Sequence, residues 1–148
     1  MTLERTLVKA FRETFNMTPG KVAIIGCGAA GLTAIKCCVD AGLQSTCFEQ
    51  QSWLGGVWKY CDEVLPNIIP SVHHSTVTNT SKIMTAFSDF PMPKELPNYL
   101  PQRTFQKYLE MYAKHFCLEQ YVRFNTTVVS LVRSDDHTTT GRWVISYR

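Results

Sequence analysis

Apolar residues are distributed along this chain in several distinct textures, and each predicts a different kind of element. Lys21 to Ile25 is a β-branched, almost wholly apolar run between Pro19-Gly20 and the glycines at 26, 28 and 31, the pattern of a strand buried at the centre of a parallel sheet. Leu32 to Ala41 reads as a helix ended by Gly42, whose missing Cβ suits a left-handed cap. Ser45 to Glu49 predicts a second short strand. Strand, glycine turn, helix and strand in this order make a βαβ unit with a right-handed crossover.

Beyond Gln50 the periodicity is lost. Pro66, Pro70, Pro91, Pro93, Pro97 and Pro101 punctuate a stretch rich in Ser, Thr and Asn, and a wrap this long is expected to be held by another surface or a ligand. Order returns at Thr104, expected to cap a helix to Phe116 with Phe105, Leu109, Tyr112 and Phe116 on one face and Gln106, Lys107, Glu110 and Lys114 opposite. Val122–Phe124, Thr127–Arg133 and Arg142–Tyr147 read as strands, the last two as a hairpin across the polar connection Ser134–Gly141. Ahead of all this, residues 1–20 form an extension in which Leu3, Leu7, Ala10 and Phe11 line one face of a short helix or belong to a loose segment.

The chemistry concentrates at the first turn. Gly26-Cys27-Gly28-Ala29-Ala30-Gly31 fits GxGxxG: the first glycine permits the turn, the second lets a diphosphate approach the backbone, and the third lets the helix press on the sheet. The free N–H groups and positive dipole end of the helix then face the diphosphate. Glu49 closes the second strand, where a carboxylate accepts hydrogen bonds from an adenosine ribose. A glycine-rich turn with an incidental carboxylate is the plainer alternative. A carboxylate there repels the extra phosphate of NADP and tolerates FAD or NAD, and Leu54-Gly55-Gly56-Val57-Trp58 favours FAD by letting the chain pass close to a long cofactor that Trp58 covers. The plainer alternative is a turn in which Trp53 and Trp58 pack into the core, and Trp53 reads as such a core residue.

Composition narrows the classes further. With 148 residues, 45% hydrophobic and 18% charged, the chain is sized for one globular domain. A formal net charge of +3, with no basic stripe, leaves no electrostatic footprint for nucleic acid. The six cysteines lack CxxC spacing and a zinc-distance histidine, so reduced thiols and no metal site are expected, with Cys27 a small filler in its loop. The apolar run Val22 to Leu32 is too short and too glycine-rich to span a bilayer, and the amino terminus lacks the apolar core of a secretory signal. His73 and His74 have no acidic neighbour in sequence and make a poor nucleophilic triad, while Asp89-Phe90-Pro91 reads as a structural turn.

From Lys21 to Tyr147 the blocks KVAIIGCGAAGL, IKCCVDAGL, TCFEQ, LGGVWK, TNTSKIM, FSDFPMP and TTGRW resemble the amino-terminal part of the vertebrate flavin-containing, or dimethylaniline, monooxygenases. The resemblance implies an α/β fold: a Rossmann-like FAD-binding domain of the glutathione-reductase type, incomplete, with a carboxy-terminal β-hairpin, over residues 21–148. Carried over by position, Gly26, Cys27, Gly28, Ala29, Ala30 and Gly31 belong to the FAD diphosphate site, Glu49 to the adenosine ribose, and Val57 with Trp58 to the flavin side. Thr78 and Asn79 match positions near nicotinamide and the isoalloxazine. Asn79 is the implied catalytic residue, its carboxamide donating to a flavin–oxygen adduct shielded from water.

The family further implies NADPH as reductant, O2 and small nitrogen- or sulfur-containing molecules as substrates, and attachment to the cytosolic face of the endoplasmic reticulum membrane. Two departures bear on activity. Tyr60 to Pro70 lacks the family's usual Gly-containing stretch and basic residue, and the family's second glycine-rich motif for NADPH and its hydrophobic anchor do not occur before Arg148. The expectation is an amino-terminal fragment or short isoform of such an enzyme, or alternatively a catalytically inactive FAD- or nucleotide-binding remnant.

Overall fold

The computed structural model describes residues 20–61 and 71–148. The helical face expected at Leu3, Leu7, Ala10 and Phe11, and most of the Tyr60–Pro70 departure, lie outside the described residues. Strand β1 (Lys21–Ile25), helix α1 (Ala29–Asp40) and strand β2 (Gln44–Phe48) form the expected βαβ unit, with β1 and β2 parallel and Ile24 beside Cys47. A short strand β3 (Val122–Arg123) joins the other side of β2, also parallel, giving the order β1-β2-β3.

This order corrects one expectation. Among the described strands β2, not β1, is central. Consequently Ile25 is 56% exposed while Cys47 is fully buried, because only β2 has a hydrogen-bonded neighbour on each side. Helix α1 starts three residues earlier than its apolar periodicity suggests, since Gly28 already occupies the extended cap position and the alanines after it enter the helix directly. At the other end Gly42 takes a left-handed φ of +66° and donates its N–H to the Val39 carbonyl at 3.0 Å, as anticipated.

Over its described residues, 50–61 and 71–101, the wrap has the anticipated irregular course, with a 3-10 turn at Gly56–Trp58 and one helical turn at Lys82–Thr85. It lies over helix α2 (Gln102–His115), whose Phe105, Tyr108, Leu109 and Tyr112 are buried. Fully burying each such side chain contributes about 1.5–3 kcal/mol. Two details of α2 differ from the sequence reading. The helix begins at Gln102 behind Pro101, whose fixed φ and absent N–H suit a helix start, so Thr104 lies in the first turn and caps nothing. Gln106, expected on the polar face, is buried.

Several contacts fasten the wrap to this helix and to α1. The Tyr108 hydroxyl donates to the Phe90 carbonyl at 2.6 Å and accepts from the Phe87 N–H at 2.7 Å, while Phe87 and Phe90 pack on Tyr112. Lys36 of α1 reaches Asp89 at 2.5 Å and Asp40 at 2.6 Å, so Asp89-Phe90-Pro91 is the structural turn it was expected to be. Those two carboxylates, each hydrogen-bonded to the ammonium, push the Lys36 pKa up. The hairpin is present as β4 (Val128–Arg133) and β5 (Trp143–Tyr147), antiparallel, joined through a helical turn at His137–Thr140. Its Val129, Leu131, Val132, Trp143, Val144 and Tyr147 are each about half exposed. No disulfide joins any of the six cysteines.

Candidate functional site

The glycine turn leaves β1 with the Gly26 N–H donating to the Phe48 carbonyl of β2 at 2.8 Å. Gly26 stands at φ +89°, a left-handed conformation that favours glycine, and a Cβ built on it would meet nothing within 4 Å. Space is therefore open on that side of the turn. Gly31 is constrained in the opposite way: its Cβ would lie 2.0 Å from the Gly26 carbonyl oxygen, so a hydrogen there is what lets α1 close on the turn. No side chain caps the start of α1 and no acidic residue lies in its first turn, leaving its positive end available to an anion.

Glu49 stands just past the end of β2 and is 3% exposed. Its Oε2 accepts the Cys27 N–H at 2.7 Å and its Oε1 accepts the Gln51 N–H at 2.8 Å. A buried carboxylate thus braces the middle of the glycine turn from the neighbouring strand. Each oxygen keeps a further lone pair, so the group retains capacity to accept from hydroxyls of a ligand. Cys27 and Cys47 bury their thiols completely beneath this turn. The hydrogen bond they share and their burial push the Cys27 thiol far above the ordinary thiol range, consistent with a filler and not a nucleophile.

The paired glycines come back to the same place. Gly55, at φ +112°, donates its N–H to the Cys27 carbonyl at 2.9 Å, and a Cβ on Gly56 would lie 3.2 Å from the Gly28 Cα. Backbone therefore meets backbone between the glycine turn and the start of the wrap. Just beyond, Val57 is 47% exposed, while the Trp58 ring packs edge-on against Phe105 at 4.6 Å. Trp58 is thus partly committed to α2, in line with the core-packing alternative weighed for it. Trp53 is half-buried.

Thr78 and Asn79 reach this region through the start of α2. Thr76 to Thr78 pairs with Leu100 to Gln102, with the Thr78 N–H on the Leu100 carbonyl and the Gln102 N–H on the Thr76 carbonyl. The Thr78 hydroxyl is turned inward, accepting from the Leu100 N–H at 2.9 Å and donating to the Thr80 carbonyl at 3.0 Å. Gln102 also donates its side-chain amide to the Trp58 carbonyl. Asn79, next along, is exposed. The site residues therefore fall into two groups, Gly26 to Gly31 with Glu49, and Val57, Trp58, Thr78 and Asn79, linked by Gly55-Gly56. His73 lies apart on the surface, its Nδ1 2.8 Å from the Ser75 hydroxyl.

Sequence reasoning missed Gln102 and Gln106. Their spacing was the available signal: positions 102, 105, 106, 109, 112 and 113 follow one helical stripe, and a helix started at Gln102 puts both glutamines on the buried face.

With this geometry in view, the comparisons with known proteins are direct. The family model described as flavin-binding monooxygenase-like matches residues 19–148. The chain belongs to that family. Among similar flavin-binding monooxygenase-like proteins, dimethylaniline monooxygenase (N-oxide-forming) 2 of Macaca mulatta is 46% identical over 125 residues, covering 84% of this chain and 23% of that relative. Flavin-containing monooxygenase 1 of Homo sapiens is 42% identical over the same shares. The chain spans about a quarter of the length of these curated relatives. Among solved structures, S-allyl-L-cysteine S-oxygenase from Allium sativum superposes with a TM-score of 0.77 at 26% identity, over 88% of this chain and 32% of that one. A steroid monooxygenase bound to NADP gives 0.69 at 27%, over 88% and 23%. The fold is that of a partial Rossmann-like FAD-binding domain.

Proposed function

We propose that residues 21–148 form the first part of an FAD-binding domain, preceded by an extension over residues 1–20, in a flavin-dependent monooxygenase. The whole protein would use FAD, NADPH and O2 to oxygenate soft nitrogen and sulfur centres of small molecules. The observation that carries this reading is the union of the glycine turn with Glu49: one buried carboxylate fixes the turn that opens α1. Open space at Gly26 and the uncapped start of α1 fit an adenosine diphosphate.

In this reading the backbone N–H groups of Gly28, Ala29, Ala30 and Gly31 hold the diphosphate with the helix dipole, while Gly26 and Cys27, whose N–H groups go to Phe48 and Glu49, shape the turn that it lies against. Glu49 accepts from the adenosine ribose with its remaining lone pairs. Val57 presents an exposed apolar surface, and Trp58 a partly covered one, to the flavin side. Thr78 fixes the backbone so that Asn79 projects its carboxamide, able both to donate and to accept, toward the reacting end as the catalytic residue. Bound FAD supplies the two-electron and oxygen chemistry that no side chain here supplies. The NADP in the name of the steroid monooxygenase neighbour supports the NADPH assignment. Attachment to the endoplasmic reticulum membrane follows from the family resemblance; among the described residues no helix is long and apolar enough to cross a membrane.

A second reading, nucleotide binding without turnover, is favoured by the contrast between the braced glycine turn and the exposed Val57 and Asn79. Purifying the chain with added FAD and recording its visible spectrum tests the first step. Retained flavin absorbance is expected, and its absence would overturn the FAD assignment. Adding NADPH to a full-length protein that carries this chain then separates the readings: bleaching of the bound flavin supports the monooxygenase, and an unreduced bound flavin supports the second reading.

A further inference from the structure

Two glutamines one turn apart on α2 bracket the paired-glycine turn. Gln106 donates from Nε2 to the Leu54 carbonyl at 3.0 Å and to Glu110 Oε1 at 2.9 Å, and Gln102 donates to the Trp58 carbonyl. Both are more than nine-tenths buried, at 6% and 2% exposure. Among the described residues their side-chain oxygens have no hydrogen-bond partner. Keeping two carboxamides in such surroundings is unfavourable unless their donors are needed. An apolar side chain would fill the volume but would leave the Leu54 and Trp58 carbonyls without these donors.

The consequence reaches the nucleotide turn through a short relay. Gln106 fixes the Leu54–Gly55 peptide, the Gly55 N–H fixes the Cys27 carbonyl at 2.9 Å, and the adjoining Cys27 N–H is held by Glu49 at 2.7 Å. Gly55 has no freedom to drift toward α2, because a Cβ there would fall 2.0 Å from Gln106 Oε1. We propose that Gln106, assisted by Gln102, is a positioning residue for the nucleotide site: it sets the place of the paired-glycine turn and, through it, of the diphosphate turn. The nucleotide part of this inference rests on the FAD reading above.

The test uses the full 148-residue chain with two readouts, hydrogen exchange at the Gly55 amide without ligand and FAD affinity from quenching of flavin fluorescence. Gln106→Met keeps the length and removes the donor. Leu109→Ala, a fully buried apolar position on the same helix, serves as the control for general loosening. Gln106→Met is expected to raise Gly55 exchange and the FAD Kd about tenfold each. Leu109→Ala is expected to lower the melting temperature at least as far while leaving FAD affinity, measured well below melting, within about twofold. Wild-type values in Gln106→Met, or an affinity loss in Leu109→Ala that matches it at equal destabilisation, would overturn the proposal. Should Gln106→Met not accumulate folded, the isosteric Gln106→Glu, which turns an acceptor toward the Leu54 carbonyl, carries the same expectations. A wild-type chain that takes up no FAD, yet loses Gly55 protection in the variant, supports the positioning role and overturns the FAD reading.

Discussion

Around Gly26 to Gly31 the backbone is tied from three directions: β2 holds Gly26, Glu49 holds Cys27, and Gly55 holds the Cys27 carbonyl. Around Thr78 and Asn79 the chain is held on both sides, at Thr78 by Leu100 and at Thr80 by Thr85, and the intervening Asn79 faces outward with Val77 and Val57. In the first region the turn is fixed through those partners of Gly26 and Cys27, while the N–H groups that open α1 stay uncapped. The second is a display of side chains on a fixed stub. The difference teaches that the glycine turn, the end proposed for a diphosphate, finds its supports within the described residues. The end assigned to the flavin has its backbone placed, with Val57 and Asn79 uncovered among the described residues and Trp58 and Thr78 committed to α2 and its approach.

Substitutions should break this contrast in a definite order. Gly31→Val places carbon within 2.0 Å of the Gly26 carbonyl and is expected to cost about 3 kcal/mol, with loss of FAD retention, as measured by chemical denaturation and flavin content. Glu49→Ala removes the acceptor of two backbone N–H groups; about 2–3 kcal/mol of stability should go, and flavin content should fall with it.

The scaffold shared by both ends has an alkaline weakness. Burial, reinforced by the nearby Asp89 charge, pushes the Tyr112 phenol from 10.0 up to about 12. A raised folded-state pKa means the unfolded chain loses its proton first. The stability from this group is therefore complete below pH 10 and is lost as the pH rises toward 12, about 2 kcal/mol in all. Denaturation midpoints across that window should fall in the wild type and fall less in Tyr112→Phe. Tyr108→Phe removes one donor to Phe90 and one acceptor for Phe87 and should cost about 1–2 kcal/mol, read as an earlier thermal transition with FAD affinity little changed. Asn79→Ala closes the series: its exposed side chain should change stability by less than about 0.5 kcal/mol, and retained flavin should match the wild type, while substrate oxygenation in a full-length enzyme carrying the change should fall.

Much of the first region was legible because its signals are local. KVAII, the glycine spacing and Glu49 are read within one βαβ unit, and each glycine's requirement follows from backbone sterics. The hairpin was legible for the same reason. What the sequence concealed is long-range. Glu49 reads as a ribose ligand, yet its oxygens first serve Cys27 and Gln51, a use visible only once β1 and β2 are paired. Gln106 looked like a surface residue because polarity outweighed its place on the helical stripe. Trp58 and Thr78 carry packing and hydrogen-bonding duties to Phe105 and Leu100 that depend on where the wrap meets α2. The strand order escaped too, since nothing local says which edge of β2 will receive Val122–Arg123.

The central claim is that this chain recognises the adenosine diphosphate half of its cofactor through the glycine turn and Glu49. Titrating the purified chain with FAD by fluorescence quenching, then competing with ADP and separately with FMN, tests it most directly. The account predicts saturable quenching that ADP reverses and FMN leaves largely intact. Displacement by FMN in place of ADP, or no saturable binding at all, would contradict it.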